Sequence, residues 1–287
     1  MKDDALNPKK EANRLTNLIK ETKAILGLNR FPIDVKEIAL GCANIYRRDD
    51  PITKFSSVSI PKFEGALYLA EEKSEWILLY NDKILSPGRI RFTQAHELGH
   101  YILHSAKGKQ FECNSRINSS DPAFVRMESE ADTFASYLLM PLDDFRIQEP
   151  DEINFDTLGN CADRYGVSLS AAIFKWLEFT QKKAIFICSC DGYIKWARSS
   201  DPAHKSGAYF KIKDRGPTEI PKGSLAANDQ VDIDKIGTNI SIQEWFSKSE
   251  TDYDIVEMKI YSEQYDETYT LLLLPDFSDL WPENKPD

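Results

Sequence analysis

Long apolar segments are missing from this chain of 287 residues. No window approaches the roughly 18 uncharged apolar residues that a membrane-spanning helix needs. The first residues, Met1-Lys2-Asp3-Asp4, do not open the apolar segment that is typical of a signal peptide. We therefore expect a soluble, cytoplasmic protein with no membrane partner.

Cysteines are few and irregularly spaced. The chain has five, an odd number, which argues against the disulfide framework of a small secreted protein. Cys188 and Cys190, separated by one serine, invite a metal-binding or redox interpretation. Alternate positions in an apolar strand explain the pair better, so we expect reduced thiols.

The chain also lacks an excess of basic residues. It holds 36 Lys and Arg against 46 Asp and Glu, which gives a formal net charge of −10. Residues 250–287 contain eleven acidic residues against Lys259 and Lys285, a net charge of −9 for that segment. Such a field repels phosphate backbones, so we do not expect nucleic acid as a direct ligand, whereas a basic protein partner suits it.

What the chain does contain is a succession of helical and strand-like segments. Apolar residues at helical spacing predict a helix from Lys10 to Leu26 and a second helix from Asp34 to Gly41. Short β-rich segments then predict a small antiparallel sheet from residues 56–60, 65–70 and 76–80. Further strands are expected at residues 184–190, 193–197, 255–261 and 269–274. This mixture of elements places the chain in the α+β class.

The strongest chemical signal lies between Ile90 and His104. His96, Glu97 and His100 form an H-E-x-x-H motif among apolar neighbours that predict a largely buried helix. Residues four apart on a helix lie about 40° apart around its axis, so both imidazoles can bind one ion. Glu97 then projects beside the open coordination position. The structural alternative is a buried helix whose two histidines bond to backbone.

A catalytic zinc site needs a third protein ligand, with its fourth position left to water. The helix predicted from Pro122 to Met140 offers Glu128, which shares a side with small apolar residues and with Asp132. We assign Glu128 as the ligand and Asp132 as the acceptor of a hydrogen bond from the other ring nitrogen of a ligating histidine. Asp132 as the ligand is the competing interpretation. Glu130, about 160° from Glu128 around the axis, is expected to face solvent.

Other side chains near the motif have open roles. His104 could also reach the ion, but packing or a hydrogen bond to a loop fits its position one turn beyond His100 better. Residues 105–120 are predicted to form a long polar loop near the metal. Candidates for stabilising an oxyanion are Tyr101, Tyr137 and His204.

The expected chemistry follows from these assignments. One zinc ion, held by His96, His100 and Glu128, lowers the pKa of water toward neutrality and polarises a peptide carbonyl. Glu97 takes the proton of the water and passes it to the leaving amine. The sequence therefore predicts a zinc metallopeptidase of the gluzincin-like type.

Two motifs together resemble those of the ImmA/IrrE family of zinc metallopeptidases. They read R-F-T-Q-A-H-E-L-G-H-Y-I-L-H (Arg91–His104) and E-S-E-A-D-T-F-A-S-Y-L-L-M-P (Glu128–Pro141), with flanking matches at 32–35 and 165–168. The resemblance covers about residues 10–180. It implies a thermolysin-like zincin domain, a helix-turn-helix-like segment and a variable C-terminal domain. The residues that match the family's ligand and base positions are His96, Glu97, His100 and Glu128.

The resemblance also implies a biological role. Family members cleave a partner transcriptional repressor and so release stress-response or mobile-element genes, which implies a helix-turn-helix repressor as protein substrate here. We predict a peptidase domain at 1–148, a helix-turn-helix-like segment at 149–182 and a β-rich domain, sensory or partner-binding, at 183–287. The alternative function is a metal-stabilised regulator that sequesters its partner without proteolysis.

The segment around residues 166–168 joins two short helices in the manner of a DNA-reading helix-turn-helix. Its second helix, predicted from Leu169 to Thr180, carries Lys175 as its only basic residue among mostly apolar side chains. We therefore expect this helix to pack within the protein rather than to read DNA.

Overall fold

The computed structural model describes residues 6–59, 63–70, 72, 74–113, 121–212, 216–247, 249 and 253–277. By its internal contacts the chain divides into two units. The first comprises Met1–Glu149 with Cys161–Ala171, and the second comprises Pro150–Asn160 with Ala172–Asp287. Among the helices of the described residues, none combines the length and apolar character needed to cross a bilayer.

The long helices of the first unit begin where a side chain caps the first turn. They are α1 (Pro8–Leu26), α2 (Val35–Tyr46), α3 (Pro87–His104) and α4 (Pro122–Leu139). The capping residues accept a hydrogen bond from a first-turn backbone N–H and are Asn7, Asp34, Ser86 and Asp121. Because such a bond satisfies a donor that the helix itself leaves unpaired, these starts are readable from the sequence. A short helix, α5 (Leu142–Phe145), follows α4.

Helix α2 is longer than the sequence predicts. The predicted end at Gly41 is wrong, because α2 continues to Tyr46. Buried Cys42 and Ala43 extend the apolar face of the helix past the glycine. Nothing outside the helix lies within 4 Å of the position that a Cβ would take at Gly41, so no close contact requires a glycine there.

Within the described residues, the first unit holds a four-stranded mixed sheet. Its strands are β1 (Ile52–Val58), β2 (Gly65–Ala70), β3 (Glu75–Asn81) and β4 (Gln110–Cys113), in the order β1-β3-β2-β4. Strand β2 pairs antiparallel with β3 and β4, but β1 and β3 run parallel. The prediction of an antiparallel sheet is therefore wrong at β1, because β3 lies between β1 and β2.

Strand β4 lies inside the segment 105–120, for which the sequence predicts a loop. That prediction is wrong at Gln110–Cys113, where Phe111 pairs with Leu67 of β2. Residues 114–120 of the predicted loop lie outside the described residues. Phe111 is the one large apolar residue in the four-residue strand, so no alternating pattern marks it in the sequence.

Two helices follow, α6 (Phe155–Tyr165) and α7 (Leu169–Leu177), and residues of both belong to each unit. Gly166 stands between them with a φ of 60°, in the left-handed region that favours glycine. These helices agree with the helical segments expected at 149–182, but their use as a helix-turn-helix stays a prediction.

The second unit contains an antiparallel sheet whose described strands follow the order β7-β6-β5-β10-β9-β8. The strands are β5 (Lys183–Cys190), β6 (Tyr193–Ser199), β7 (Thr218–Glu219), β8 (Ile233–Ser241), β9 (Asp254–Ser262) and β10 (Glu267–Leu274). Short helices α8 (Asp201–Lys205) and α9 (Ile242–Trp245) lie between strands. The four predicted strands correspond to β5, β6, β9 and β10. Strand β8 is largely exposed and has no apolar alternation, which explains why the sequence does not reveal it.

The first turn of α3 packs closely on the backbone of residues 166–168. A Cβ at Gly88 would lie 2.4 Å from the backbone nitrogen of Ser168 and 2.5 Å from the carbonyl carbon of Val167. Arg91, one turn further along α3, donates a hydrogen bond to the carbonyl oxygen of Gly166. A side chain at position 88 would therefore push the backbone of α3 away from the backbone of residues 167 and 168.

We predict that Gly88→Ala destabilises the protein by about 1–3 kcal/mol, the usual range for overpacking. The matched control, Gly41→Ala, has open space around the new methyl group and should stabilise by about 0.5–1 kcal/mol, because alanine favours the helix interior. Urea unfolding followed by circular dichroism measures both. Equal midpoints for the two variants would contradict the close contact at Gly88.

Candidate metal centre

Helices α3 and α4 come unusually close at Gly99. A Cβ at this residue would lie 3.1 Å from Cδ1 of Phe134 and 3.3 Å from Cα of Ala131. Ala131 and Phe134 are fully buried. Because Gly99 has no side chain, the two helices approach closely here, and polar side chains beside the contact can share one ligand.

Ligand atoms of His96, His100 and Glu128 converge beside this contact. Nε2 of His96 lies 2.9 Å from Nε2 of His100. The Glu128 carboxylate lies 3.3 Å from Nε2 of His96 through Oε2 and 3.2 Å from Nε2 of His100 through Oε1. All three residues offer ligand atoms within 4.8 Å of one another. The structure thus brings together the three residues that the sequence predicts as ligands.

These separations suit a divalent metal ion. Ligands at about 2.0–2.1 Å from a tetrahedral zinc ion lie about 3.3–3.4 Å apart, close to the distances between the three residues. Two imidazoles and one carboxylate are a donor set found in catalytic zinc sites. The group could therefore hold a metal ion with little movement of the side chains.

The protonation of the group also suits a cation. Burial lowers the pKa of His100 to about 4, so its ring is neutral near pH 7 and keeps a lone pair. Burial alone would raise the pKa of Glu128, but hydrogen bonds with His100 and His96 outweigh it and hold the pKa well below its usual range. The centre therefore offers a neutral imidazole at His100 and an ionised carboxylate at Glu128, the forms that bind metal.

The remaining ring nitrogens of the two histidines have different partners. Nδ1 of His96 lies 2.9 Å from Oδ1 of Asp132, as the sequence predicts for Asp132. Nδ1 of His100 lies 3.0 Å from Nδ1 of His104. The expectation that Glu130 faces solvent is wrong, because its Oε2 lies 3.0 Å from Nε2 of His104 and its side chain is only 18% exposed.

Glu97, the predicted base, is completely buried on α3. The start of β2 lies against it: a Cβ at Gly65 would lie 2.7 Å from Oε1 of Glu97 and 2.6 Å from Cγ2 of Thr93. The strand backbone therefore forms one wall of the pocket that holds the carboxylate. Sequence reasoning missed Gly65, since nothing in a strand pattern marks the residue that faces another element.

Phe111 is a second residue that sequence reasoning missed. Its ring stacks on that of His100, with the ring centroids 4.8 Å apart and an angle of 13° between the planes. Because β4 carries Phe111, recognising the contact requires knowing that a strand lies within residues 105–120. The stack restricts rotation of the His100 ring.

The three candidates for oxyanion stabilisation lie in different surroundings in the structure. Tyr101 is buried and its hydroxyl donates to the carbonyl oxygen of Asp50, 3.0 Å away, which engages it elsewhere. Tyr137 lies nine residues after Glu128 on α4, hence about 13 Å along the axis and on the opposite face. His204 lies in the second unit, stacked on Tyr209 with centroids 4.5 Å apart, and its role stays a prediction.

A second group of potential ligands lies in the second unit. Cys190, Asp191 and Asp266 line a cavity of about 590 Å³. Burial and the hydrogen bond with Asp191 raise the pKa of the Cys190 thiol, which keeps it protonated near pH 7. Asp191 and Asp266 are exposed, and exposed acidic groups commonly lie together without an ion, so this cluster by itself does not indicate a metal site.

The only basic residue of α7 is not available to a phosphate backbone. Lys175 is 2% exposed, and its Nζ lies 3.2 Å from Oε2 of Glu178. The helix face that carries it is used for packing, which supports the structural interpretation of α7.

Comparison with known proteins agrees with this arrangement. A solved structure of a transcriptional regulator from Mycobacterium tuberculosis is similar in fold, with a TM-score of 0.52 and 16% sequence identity over 93% of this chain and 86% of that chain. No match is found among curated proteins. The family model described as the IrrE N-terminal-like domain matches residues 30–177, slightly more than half of the chain and both motifs of the metal centre. The chain therefore belongs to the M78 peptidase family of IrrE N-terminal-like domains, a family of metallopeptidases, which confirms the resemblance to ImmA/IrrE proteins.

Proposed function

We propose that this protein is a zinc-dependent endopeptidase of the gluzincin-like type, which cleaves a specific protein partner. The observation that carries the proposal is the convergence of His96, His100 and Glu128 beside the buried carboxylate of Glu97. A structural zinc site is usually closed by a fourth protein ligand and needs no base. The donor set here has three protein ligands and an acidic residue adjacent to one of them in the helix.

The residues of the centre have different roles in peptide hydrolysis. His96, His100 and Glu128 would hold the zinc ion, which would supply the Lewis acidity that polarises a carbonyl oxygen and lowers the pKa of water. Glu97 accepts a proton from the attacking water and delivers it to the nitrogen of the leaving amine. Asp132 orients the ring of His96 through its hydrogen bond to Nδ1. The buried position of Glu97 limits its contact with bulk water, so the proton stays available for the leaving group.

We further propose that the substrate is a helix-turn-helix transcriptional repressor, whose cleavage derepresses stress-response or mobile-element genes. Membership of a regulatory peptidase family supports this substrate, as does the similar fold of a protein described as a transcriptional regulator. The acidic segment 250–287 would favour a partner with a basic surface, and DNA-binding repressors carry one.

The proposed metal centre predicts one tightly bound zinc ion per chain. Glu128→Gln should weaken zinc affinity by more than about 100-fold, since losing a ligand exceeds the 10–100-fold typical of an outer partner. Cys190→Ser is the matched control and should leave stoichiometry and affinity unchanged. Competition with a chromophoric chelator measures both. Zinc retained by Glu128→Gln and lost by Cys190→Ser would place the metal in the second unit instead.

Proteolysis is tested with a helix-turn-helix repressor as substrate, beginning with any such repressor encoded beside the gene for this protein. The zinc-loaded wild type should cleave it, and Glu97→Gln should reduce the rate by about 100- to 10,000-fold because general acid–base catalysis is lost. A chelator should abolish cleavage, and zinc should restore it. Products are followed by electrophoresis and mass spectrometry.

Two results would reject this substrate assignment. An intact repressor with fully zinc-loaded wild type contradicts cleavage of that partner. If wild type and Glu97→Gln prevent DNA binding by the repressor equally well and leave it intact, sequestration without proteolysis replaces the proposed function.

The wall formed by β2 predicts a defect of catalysis without loss of metal. Gly65→Ala places a methyl group about 2.7 Å from Oε1 of Glu97 and should displace the carboxylate. We expect a 10- to 100-fold lower kcat, roughly the effect of a 1 Å misplacement, with unchanged zinc affinity. Gly41→Ala, far from any close contact, is the matched control for folding and activity. Equal rates for the two alanine variants would show that the wall does not position Glu97.

A further inference from the structure

His104 lies one turn beyond His100 on α3 and is completely buried. Both of its ring nitrogens have partners in the described structure. Nδ1 lies 3.0 Å from Nδ1 of His100, and Nε2 lies 3.0 Å from Oε2 of Glu130. The ring thus stands between a proposed metal ligand and a carboxylate.

When Nε2 of His100 binds a metal ion, hydrogen-bond chemistry allows one consistent proton arrangement along His100, His104 and Glu130. Nε2 of His100 faces Glu128 and His96, so as a metal ligand it carries a lone pair and its proton lies on Nδ1. That proton needs an acceptor, and among the described residues a deprotonated Nδ1 of His104, 3.0 Å away, supplies it. The proton of His104 must then lie on Nε2, where the Glu130 carboxylate accepts it.

The other ligand is oriented differently. His96 donates from Nδ1 directly to Asp132, whose side chain is 59% exposed. The row behind His100 is longer and more buried, since His104 is inaccessible and Glu130 is 18% exposed. Glu130 also accepts a hydrogen bond from Nε of Arg126 at 2.8 Å, which holds the carboxylate in place.

We propose that His104 and Glu130 are positioning residues, which act through His100 to fix the tautomer and ring orientation needed for metal binding. The proposal rests on the proposed metal centre. A neutral imidazole can place its proton on either nitrogen, and only one choice leaves Nε2 free for the ion. The ionised carboxylate of Glu130 can only accept a hydrogen bond, so it places the proton of His104 on Nε2. Nδ1 of His104 then accepts a hydrogen bond from His100, which places the proton of His100 on Nδ1 and leaves its Nε2 free for the ion.

Zinc affinity measured by chelator competition provides the first test. His104→Leu fills the site but accepts no hydrogen bond, so affinity should fall by about 10- to 100-fold. His104→Asn retains an acceptor at the position of Nδ1 and should recover most of the affinity. Glu130→Gln, a change on a partly exposed side chain, should weaken binding several-fold with little effect on folding, which circular dichroism checks.

The second test reads the tautomers directly. In zinc-loaded protein with ¹⁵N-labelled histidine, four rings give resolvable signals. His104 should be protonated at Nε2 and His100 at Nδ1. In Glu130→Gln, whose amide can donate as well as accept, His104 should show a mixture of both neutral tautomers.

These measurements separate the positioning role of His104 and Glu130 from the proposed function. Peptidase activity enters none of them, so an inactive but zinc-binding wild type leaves the tests intact. If the wild type has no affinity for zinc, both the metal centre and the positioning role of His104 and Glu130 are wrong. If His104→Leu and Glu130→Gln both keep the zinc affinity of the wild type, the positioning role alone is wrong. The same conclusion follows if His104 is protonated at Nδ1.

Discussion

The contact between α3 and α4 at Gly99 is the constraint on which the metal centre depends. The ligands come from both helices, and metal–ligand distances tolerate deviations of only about 0.2 Å. A larger residue at Gly99 would press on Ala131 and Phe134 and move the helix that carries Glu128. The close approach of the helices that Gly99 permits is therefore the condition under which the three donors can share one ion.

Around this contact, carboxylates in different environments have different partners. Glu97 is fully buried beside β2, Glu128 is 28% exposed between two imidazoles, and Asp132 is 59% exposed beside one. The most buried group is the one proposed to move a proton, and the more exposed groups orient or bind. Several carboxylates beside the neutral ring of His100 also create a field that favours a divalent cation, which such a centre needs before any chemistry can occur.

Part of this centre could be predicted because the relevant geometry is local. Helical periodicity alone relates His96 to His100, and the small neighbours of Glu128 mark the face of α4 that must meet α3. The same periodicity led to the wrong expectation for Glu130, because it gives the direction of Cβ and not where a long side chain ends. The parallel pairing of β1 with β3, like strand β4, depends on contacts distant in sequence, for which a short segment carries no signal.

The sheet shows why those hidden contacts matter for the site. Gly65 of β2 lies against Glu97, and Phe111 of β4 stacks on His100, so two neighbouring strands supply walls for the base and for a ligand. Their antiparallel register, with Leu67 opposite Phe111, places both walls at once. A shift of that register by one residue would turn Phe111 to the other face of the sheet and remove the stack from His100. The pairing of β2 with β4, which the sequence does not reveal, therefore places the walls beside Glu97 and His100. The H-E-x-x-H motif alone supplies those two side chains but not the walls that hold them.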